Sequence, residues 1–202
     1  MRICGLDEAG RGPLAGPIVA AAVTLNPRPQ YANLKDSKKL NKEQREKLYQ
    51  EIIGSGAEVH VEIISARQIN NRGIGWANKE IFKRLIRKVE ADKYIVDGNL
   101  KIKVNGKSKQ IKCIVKADNS RKCVMAAAVI AKVERDRLME KLHGEHPDFG
   151  WNTNAGYGTR AHVEAIMKFG MVKYHRTVFV TTALSRYCTV EEAFYNQRVT
   201  QA

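Results

Sequence analysis

Cysteine is scarce in this chain: four residues in 202, at Cys4, Cys113, Cys123 and Cys188, with no Cys-x-x-Cys pair. That scatter argues against a zinc site or a disulfide framework, and it favours a reducing, cytoplasmic setting. No apolar run approaches the length of a membrane-spanning helix, so no membrane association is expected. The opening Met1-Arg2-Ile3-Cys4-Gly5 enters a strand pattern at once and has no cleavable signal order. Internal repeats, low-complexity tracts and linkers are missing too. Acidic residues are the other deficit. Twenty-one Asp and Glu face 35 Lys and Arg, a net charge of +14. Such an excess favours a polyanionic partner, through long-range attraction and counterion release.

The charge is unevenly spread. Asn99 to Ala117 holds six lysines (Lys101, Lys103, Lys107, Lys109, Lys112, Lys116) and no acid. A second cluster, Lys35, Lys38, Lys39, Lys42, Arg45 and Lys47, is diluted by Asp36, Glu43 and Glu46 and reads as a solvated helix face. With 44% hydrophobic residues, 202 positions are enough for one domain with a real core.

Arg2 to Asp7 and Pro17 to Leu25 read as strands joined by a glycine-rich turn, the second apolar enough (IVAAAV) to be buried on both faces. Asn41 caps a helix to about Ile53, and Gly54 ends it. Ala57 to Ile64 alternates as a half-buried strand, completing an antiparallel set of three. Asn78 to Glu90 carries Ile81, Phe82, Leu85, Ile86 and Val89 at helical spacing. Lys93 to Asp97 is a short buried strand. Asn105-Gly106 between Lys101–Val104 and Lys107–Val115 predicts a hairpin. Ser120 to about His143 is a long helix with Val129, Ile130, Val133 and Leu138 inward, and Thr159 to Phe169 another. Thr189-x-x-Glu192 is a capping box opening a C-terminal helical tail from about 189. The elements suit an α/β domain over 1–202, with a central mixed sheet flanked by helices.

Four carboxylates fall at element ends: Asp7, Glu8, Asp97 and Asp118. Carboxylates with water are the ligands Mg²⁺ prefers. Two ions about 4 Å apart can activate a water and stabilise the leaving oxygen of a phosphodiester. Successive strand residues face opposite ways, so Asp7 and Glu8 can share a cluster only if strand geometry relaxes near Glu8. Each acid also has a plainer reading: Asp97-Gly98 as a turn, Asp118 as an aid to capping at Ser120. Asp136 lies four residues after Lys132 on a helix and is read as its ion-pair partner. His143, His146, His162 and His175 show no ligand spacing and are read as surface or hydrogen-bonded.

The string Asp7-Glu8-Ala9-Gly10-Arg11-Gly12-Pro13-Leu14-Ala15-Gly16-Pro17 resembles the signature of ribonuclease HII, the type 2 ribonucleases H. The resemblance continues in the family's order through Asp36–Leu40, Val96-Asp97-Gly98, Val115–Asp118, Ala126–Asp136, Gly156-Tyr157 and His175-Arg176, nearly the whole chain. It implies the ribonuclease H-like fold. It further implies Asp7, Glu8, Asp97 and Asp118 as catalytic ligands of two divalent ions, Mg²⁺ or Mn²⁺. The substrates implied are RNA–DNA hybrids and duplex DNA containing ribonucleotides, cut 5′ to the ribonucleotide to leave 3′-hydroxyl and 5′-phosphate ends by a monomer. Gly10, Arg11 and Gly12 then read the 2′-hydroxyl through their backbone, the feature that separates RNA from DNA. Lys38 contacts the scissile region, and Tyr157 packs on the following sugar. Arg11 as a surface cation and Tyr157 as a buried loop aromatic are the plainer alternatives.

Two departures stand out. Where bacterial relatives commonly read His-Lys-Gly-Tyr-Pro-Thr, this chain has Asn154-Ala155-Gly156-Tyr157-Gly158-Thr159, which removes a cation and a proline. Lys116-Ala117-Asp118 replaces the frequent Lys-Gly-Asp. Ribonuclease HIII is the nearest alternative, but typically carries an added N-terminal domain, for which Asp7 lies too near the start. A non-catalytic nucleic-acid-binding protein is the alternative of another class, and the four acids argue against it.

Overall fold

The computed structural model describes residues 1–26, 40–107 and 110–187. Five strands form one sheet: β1 (Ile3–Ala9), β2 (Ile18–Thr24), β3 (Glu58–Ile64), β4 (Lys93–Asp97) and β5 (Ile111–Ile114), in the order β3-β2-β1-β4-β5. The expected antiparallel set is present as β3-β2-β1, while β4 and β5 join in parallel. All seven residues of β2 are buried, because helices cover both faces of the sheet there.

The helices are α1 (Lys42–Gly54), α2 (Ala66–Arg72), α3 (Ile74–Lys88), α4 (Lys122–Glu145), α5 (Trp151–Asn154), α6 (Arg160–Phe169) and α7 (177–187). Asn41 caps α1 in a full capping box with Gln44. On one sheet face, Ala77, Ile81, Phe82, Leu85 and Ile86 of α3 pack on Cys4, Leu6, Ile18, Ala20 and Ala22. Each large side chain buried there stabilises the fold by about 1.5–3 kcal/mol. On the other face, Val129, Ile130 and Val133 of α4 pack with Ile52 of α1 on Ala21 and Val23. A third cluster gathers Leu14, Met139, Phe149, Trp151, Val163, Ile166 and Val180 around the C-terminal half of α4. That cluster seats the loops at 10–17 and 154–158.

The predicted hairpin is corrected. Its turn exists, with Gly106 at φ +75° and the Lys107 N–H donating to the Val104 carbonyl at 3.1 Å. Residues 101–104, however, form no strand, and β5 pairs in parallel with β4. Burying Ile102 and Val104 in the core beside α3 outweighs the local turn preference. Leu138 is only half-buried; Arg135 and Met139 hold the inward positions. Lys38 and the Thr189–Glu192 capping box lie outside the described residues.

Candidate active site

The site lies where strands end. β1 and β4 pair in parallel as far as Leu6↔Val96, and the next residue on each is an acid, Asp7 and Asp97. Beyond β5 the chain turns through Lys116 in the left-handed region (φ 57°, ψ 36°) into a 3-10 turn, Ala117–Asn119, that carries Asp118. Holding a non-glycine residue there costs on the order of 1 kcal/mol. The turn delivers the Ala117 N–H to Asp97 Oδ1 at 2.7 Å, tying the two acid-bearing segments together. Gly5 brings α4 in: a Cβ there would lie 2.3 Å from the Cys123 carbonyl carbon, so a side chain at this position would block the first turn of α4 from crossing β1.

β1 does not relax near Glu8. Its pairing with β2 runs on through Glu8↔Ala20 and Ala9↔Val19, so alternation sends Asp7 and Glu8 to opposite faces. In keeping with that, among the described residues no three His, Cys, Asp or Glu side chains surround a common ion position. The four acids nevertheless share one electrostatic environment. Asp7 is 7% exposed and Asp118 2%. Burial pushes Asp7 well above the usual carboxylate range, and Glu8, Asp97 and Asp118 add repulsion against an opposing hydrogen bond from the Glu8 N–H. Burial likewise pushes Glu8 up to about 7, with Arg11 opposing and Asp97 reinforcing.

Among the described residues the one cation acting on Glu8 is the largely exposed Arg11, whose Nη1 stands 3.7 Å from Glu8 Oε1. Glu8 Oε2 is buried with no hydrogen-bond partner among the described residues. An excess of buried carboxylate oxygens, one of them orphaned, is what a hard divalent cation neutralises. In charge and donor type the residues fit such an ion.

Facing the acids is the loop at 10–17. Gly10 adopts φ +96°, and a Cβ there would strike Arg135 Nε at 2.1 Å. Gly12 differs. Among the described residues a Cβ on it would meet only Tyr157 Cε1, at an ordinary 3.9 Å, so none of them requires glycine there. Tyr157 is 47% exposed, which corrects the buried-aromatic alternative. The structure thus brings Gly10, Gly12 and Tyr157 to one wall, with Arg11 bridging to Glu8. Asp136 pairs with Lys132 at 2.5 Å, as its spacing predicts.

Two groups of residues lie behind this wall: two histidines that the sequence reads as surface or hydrogen-bonded, of which the second alternative holds, and two arginines to which it gives no role. His162 and His175 are buried and paired, Nε2 to Nε2 at 3.2 Å. The Val172 N–H donates to His175 Nδ1, which places the His175 proton on Nε2, directed at His162. Trp151 Nε1–H also donates to His162 Nε2, and His162 Nδ1–H donates to the Tyr157 carbonyl at 2.8 Å. Both rings are therefore neutral, and the chain of bonds ends on the backbone of Tyr157. The second group is Arg135 and Arg176, 1% and 0% exposed. Arg135 had a signal: it lies on the same helical stripe as the buried Ala131 and Met139.

The Ribonuclease HII family model matches residues 4–182. The chain belongs to the ribonuclease HII family. Its relatives include ribonuclease HII of Wolbachia sp. subsp. Drosophila simulans (strain wRi), 42% identical over 88% of this chain and 89% of the relative. That of Clostridium botulinum (strain Loch Maree / Type A3) is 40% identical over 90% and 69%. The chain is accordingly an enzyme of the ribonuclease H type, a nuclease and hydrolase.

Among solved structures, the PCNA:RNase HII complex from Archaeoglobus fulgidus contains a chain that superposes with TM-score 0.77 at 29% identity, covering 87% of this chain and 94% of that one. Ribonuclease H2 from Pyrococcus horikoshii OT3 gives 0.76 at 26% identity, covering 93% and 99%. Bst-RNase HIII in complex with Mn²⁺ shares the fold, at TM-score 0.69 and 23% identity over 92% and 70%. The ribonuclease H-like fold is thus common to all three and to this chain.

Proposed function

We propose that this enzyme is an endonuclease that hydrolyses the RNA strand of RNA–DNA hybrids and incises duplex DNA 5′ to embedded ribonucleotides. Asp7, Glu8, Asp97 and Asp118 would hold two divalent ions, Mg²⁺ or Mn²⁺. When bound, such ions supply an activated water and stabilise the leaving 3′-oxygen. The Ala117 N–H, next to Asp118, donates to Asp97 Oδ1 and ties the two acids together, and Glu8 contributes its orphaned oxygen. Gly10, Arg11 and Gly12 present backbone to the ribose, with the missing Cβ of Gly12 leaving room for it. Tyr157 offers an exposed ring to the neighbouring sugar. Lys38 is assigned to the scissile region on resemblance alone.

The observation that carries the reading is the electrostatic coupling of buried Asp7 to Glu8, Asp97 and Asp118, acids from β1, the end of β4 and the turn after β5, beside an open glycine loop. The net charge of +14 suits a nucleic-acid substrate. The free Cys4, Cys113 and Cys123 suit a reducing compartment, and a cytoplasmic location and a monomeric state are part of the proposal. The test is cleavage of a duplex containing one ribonucleotide, with product ends mapped. A 3′-hydroxyl and a 5′-phosphate flanking the 5′ side of the ribonucleotide are expected. Activity without divalent metal, or scission elsewhere, would refute the assignment.

A further inference from the structure

Arg135 and Arg176 are buried cations whose hydrogen bonds, among the described residues, all end on main-chain carbonyls. Arg176 donates through Nε to Gly16 (2.9 Å), through Nη1 to Arg11 (3.0 Å) and through Nη2 to Gly10 (2.7 Å). Arg135 donates through Nε to Pro17 (3.0 Å), through Nη1 to Ala155 (3.0 Å) and through Nη2 to Ala15 (3.2 Å). Six bonds thus fasten both substrate-facing segments from behind. The chain at 174–176 adds main-chain bonds to the same loop, Arg176 N–H to Leu14 and Gly16 N–H to Tyr174. Leu14 and Ala15 in turn donate to the Gly156 carbonyl.

The arrangement is costly as a purely structural device. Burial presses both guanidiniums toward neutrality, and Arg135 adds like-charge repulsion on Arg176. Apolar residues of similar volume often stabilise a core at least as well as buried charges. What apolar residues cannot do is take several carbonyls at once. A guanidinium can, because it carries five N–H donors in a fixed planar fork.

Peptide planarity gives the fork its consequence. The peptides of this loop are trans, so each N–H points opposite to the carbonyl of its own peptide. The Gly10 carbonyl shares a peptide with the Arg11 N–H, and the Arg11 carbonyl with the Gly12 N–H. Drawing those two carbonyls inward onto Arg176 turns the Arg11 and Gly12 amides outward. Among the described residues neither amide has a protein acceptor. Two adjacent donors therefore face solvent beside the open Cβ position of Gly12 and the ring of Tyr157.

We propose that Arg176 and Arg135 are positioning residues for ribonucleotide recognition. Arg176 fixes the outward aim of the Arg11 and Gly12 amides toward a sugar hydroxyl, and Arg135 locks that loop to the Tyr157 segment. This rests on the proposed reading of the loop as the ribose-recognising element.

The test uses Arg176→Lys and Arg135→Lys, which keep the charge and lose the fork. Binding is measured to a duplex bearing one ribonucleotide and to the same duplex in all-DNA form, beside thermal melts and the Mg²⁺ dependence of cleavage. The wild type prefers the ribonucleotide duplex. Each lysine variant should melt cooperatively, lose at least about tenfold of that preference, and keep the wild-type Mg²⁺ midpoint. A wild type without preference would overturn the loop reading itself, and the positioning role with it. A wild type with preference, retained within about twofold by both folded variants, would overturn the positioning role alone. Failure of both variants to fold would also overturn it, by making the arginines global supports.

Discussion

The two walls of the cleft bury charge in opposite ways. On the loop side, two guanidiniums are held inside the protein by six carbonyls, so that each of their six nitrogens has an acceptor. On the strand side, three carboxylates repel Asp7, and Glu8 Oε2 has no hydrogen-bond partner among the described residues. The positive wall is complete without a ligand; the negative wall is not. A preformed wall suits recognition, since its groups need no ordering when substrate arrives. An unfinished wall suits a site whose charge is balanced from outside. The division predicts that perturbing the negative wall changes chemistry and metal response, whereas perturbing the positive wall changes selection.

The largest effect should come from the negative wall. Asp118→Asn should lower the cleavage rate at saturating substrate by at least about a hundredfold, because two-metal chemistry depends on its ligands. Hybrid binding should be retained, and Ca²⁺ should support binding without cutting, given its looser coordination. The variant should melt no lower than the wild type in EDTA, since it removes a buried charge that repels Asp7. Near wild-type turnover in Mg²⁺ would take Asp118 out of the site.

Tyr157→Ala addresses the other wall. A side chain 47% exposed contributes little to the core, so the melt should stay within a few degrees of wild type. Cleavage at a lone ribonucleotide should fall about tenfold or more, the scale of a lost base- or sugar-stacking contact. A collapsed melting temperature would return Tyr157 to a structural role.

The pH dependence of stability separates the walls by sign. In metal-free protein Asp7 and Glu8 bind protons more tightly folded than unfolded, Glu8 up to about 7 from an ordinary 4.5. Their contribution is present below that window and is lost as pH rises through it. His175 behaves oppositely. Burial lowers it from 6.5 to about 4, and the neighbouring His162 and His146 also disfavour a charge on it. Its contribution is full above 6.5 and is lost as pH falls through the window, at most about 3 kcal/mol. Mg²⁺ should therefore raise the melting temperature by several degrees at pH 8 and hardly at all at pH 5. Replacing both Asp7 and Glu8 by their amides should abolish the Mg²⁺ effect and leave only the acid-side loss. A Mg²⁺ shift equal at both pH values would contradict the assignment.

What the sequence disclosed divides along the same line. Asp7, Asp97 and Asp118 sit at strand ends that hydrophobic periodicity locates, so their convergence could be anticipated from local pattern. The helix stripe of α3, the buried β2 and the Lys132–Asp136 pair were legible for the same reason. The hairpin was misread because burial of Ile102 and Val104 is a tertiary effect that an Asn-Gly turn does not reveal. Short α2 could have been found from Ser65-x-x-Gln68, a capping box that the structure forms in full. His162 and His175 read in the sequence as surface or hydrogen-bonded, of which the second holds, but their pairing is not foreseen there. The arginine network was invisible because its carbonyl partners are distant in sequence, Arg176 to Gly10 above all. Periodicity marks which residues are inside and is silent on what a buried polar group holds.

The smallest expected effect is at Ala155, where relatives commonly carry lysine. The residue is half-buried, in the left-handed region at φ 47°, and its carbonyl accepts from Arg135. Ala155→Lys inherits the same backbone strain as alanine, so stability should shift by only a few tenths of a kcal/mol. The restored cation should steepen the fall of log affinity with log salt by roughly 0.9, the value of one phosphate contact on duplex. The cleavage rate at saturating substrate should stay put, because binding shared by ground and transition states does not lower the chemical barrier. Selection of the ribonucleotide over all-DNA duplex should also be unchanged, since a phosphate contact carries no information about the sugar. Ala155→Gly is the companion: it relieves the left-handed strain, with a gain of at most about 1 kcal/mol, and leaves the salt slope alone. Titrations of both variants at several salt concentrations decide the point. An unaltered slope in the lysine variant would mean that position 155 faces away from the phosphates, and that the wall built on Arg135 meets the sugar alone.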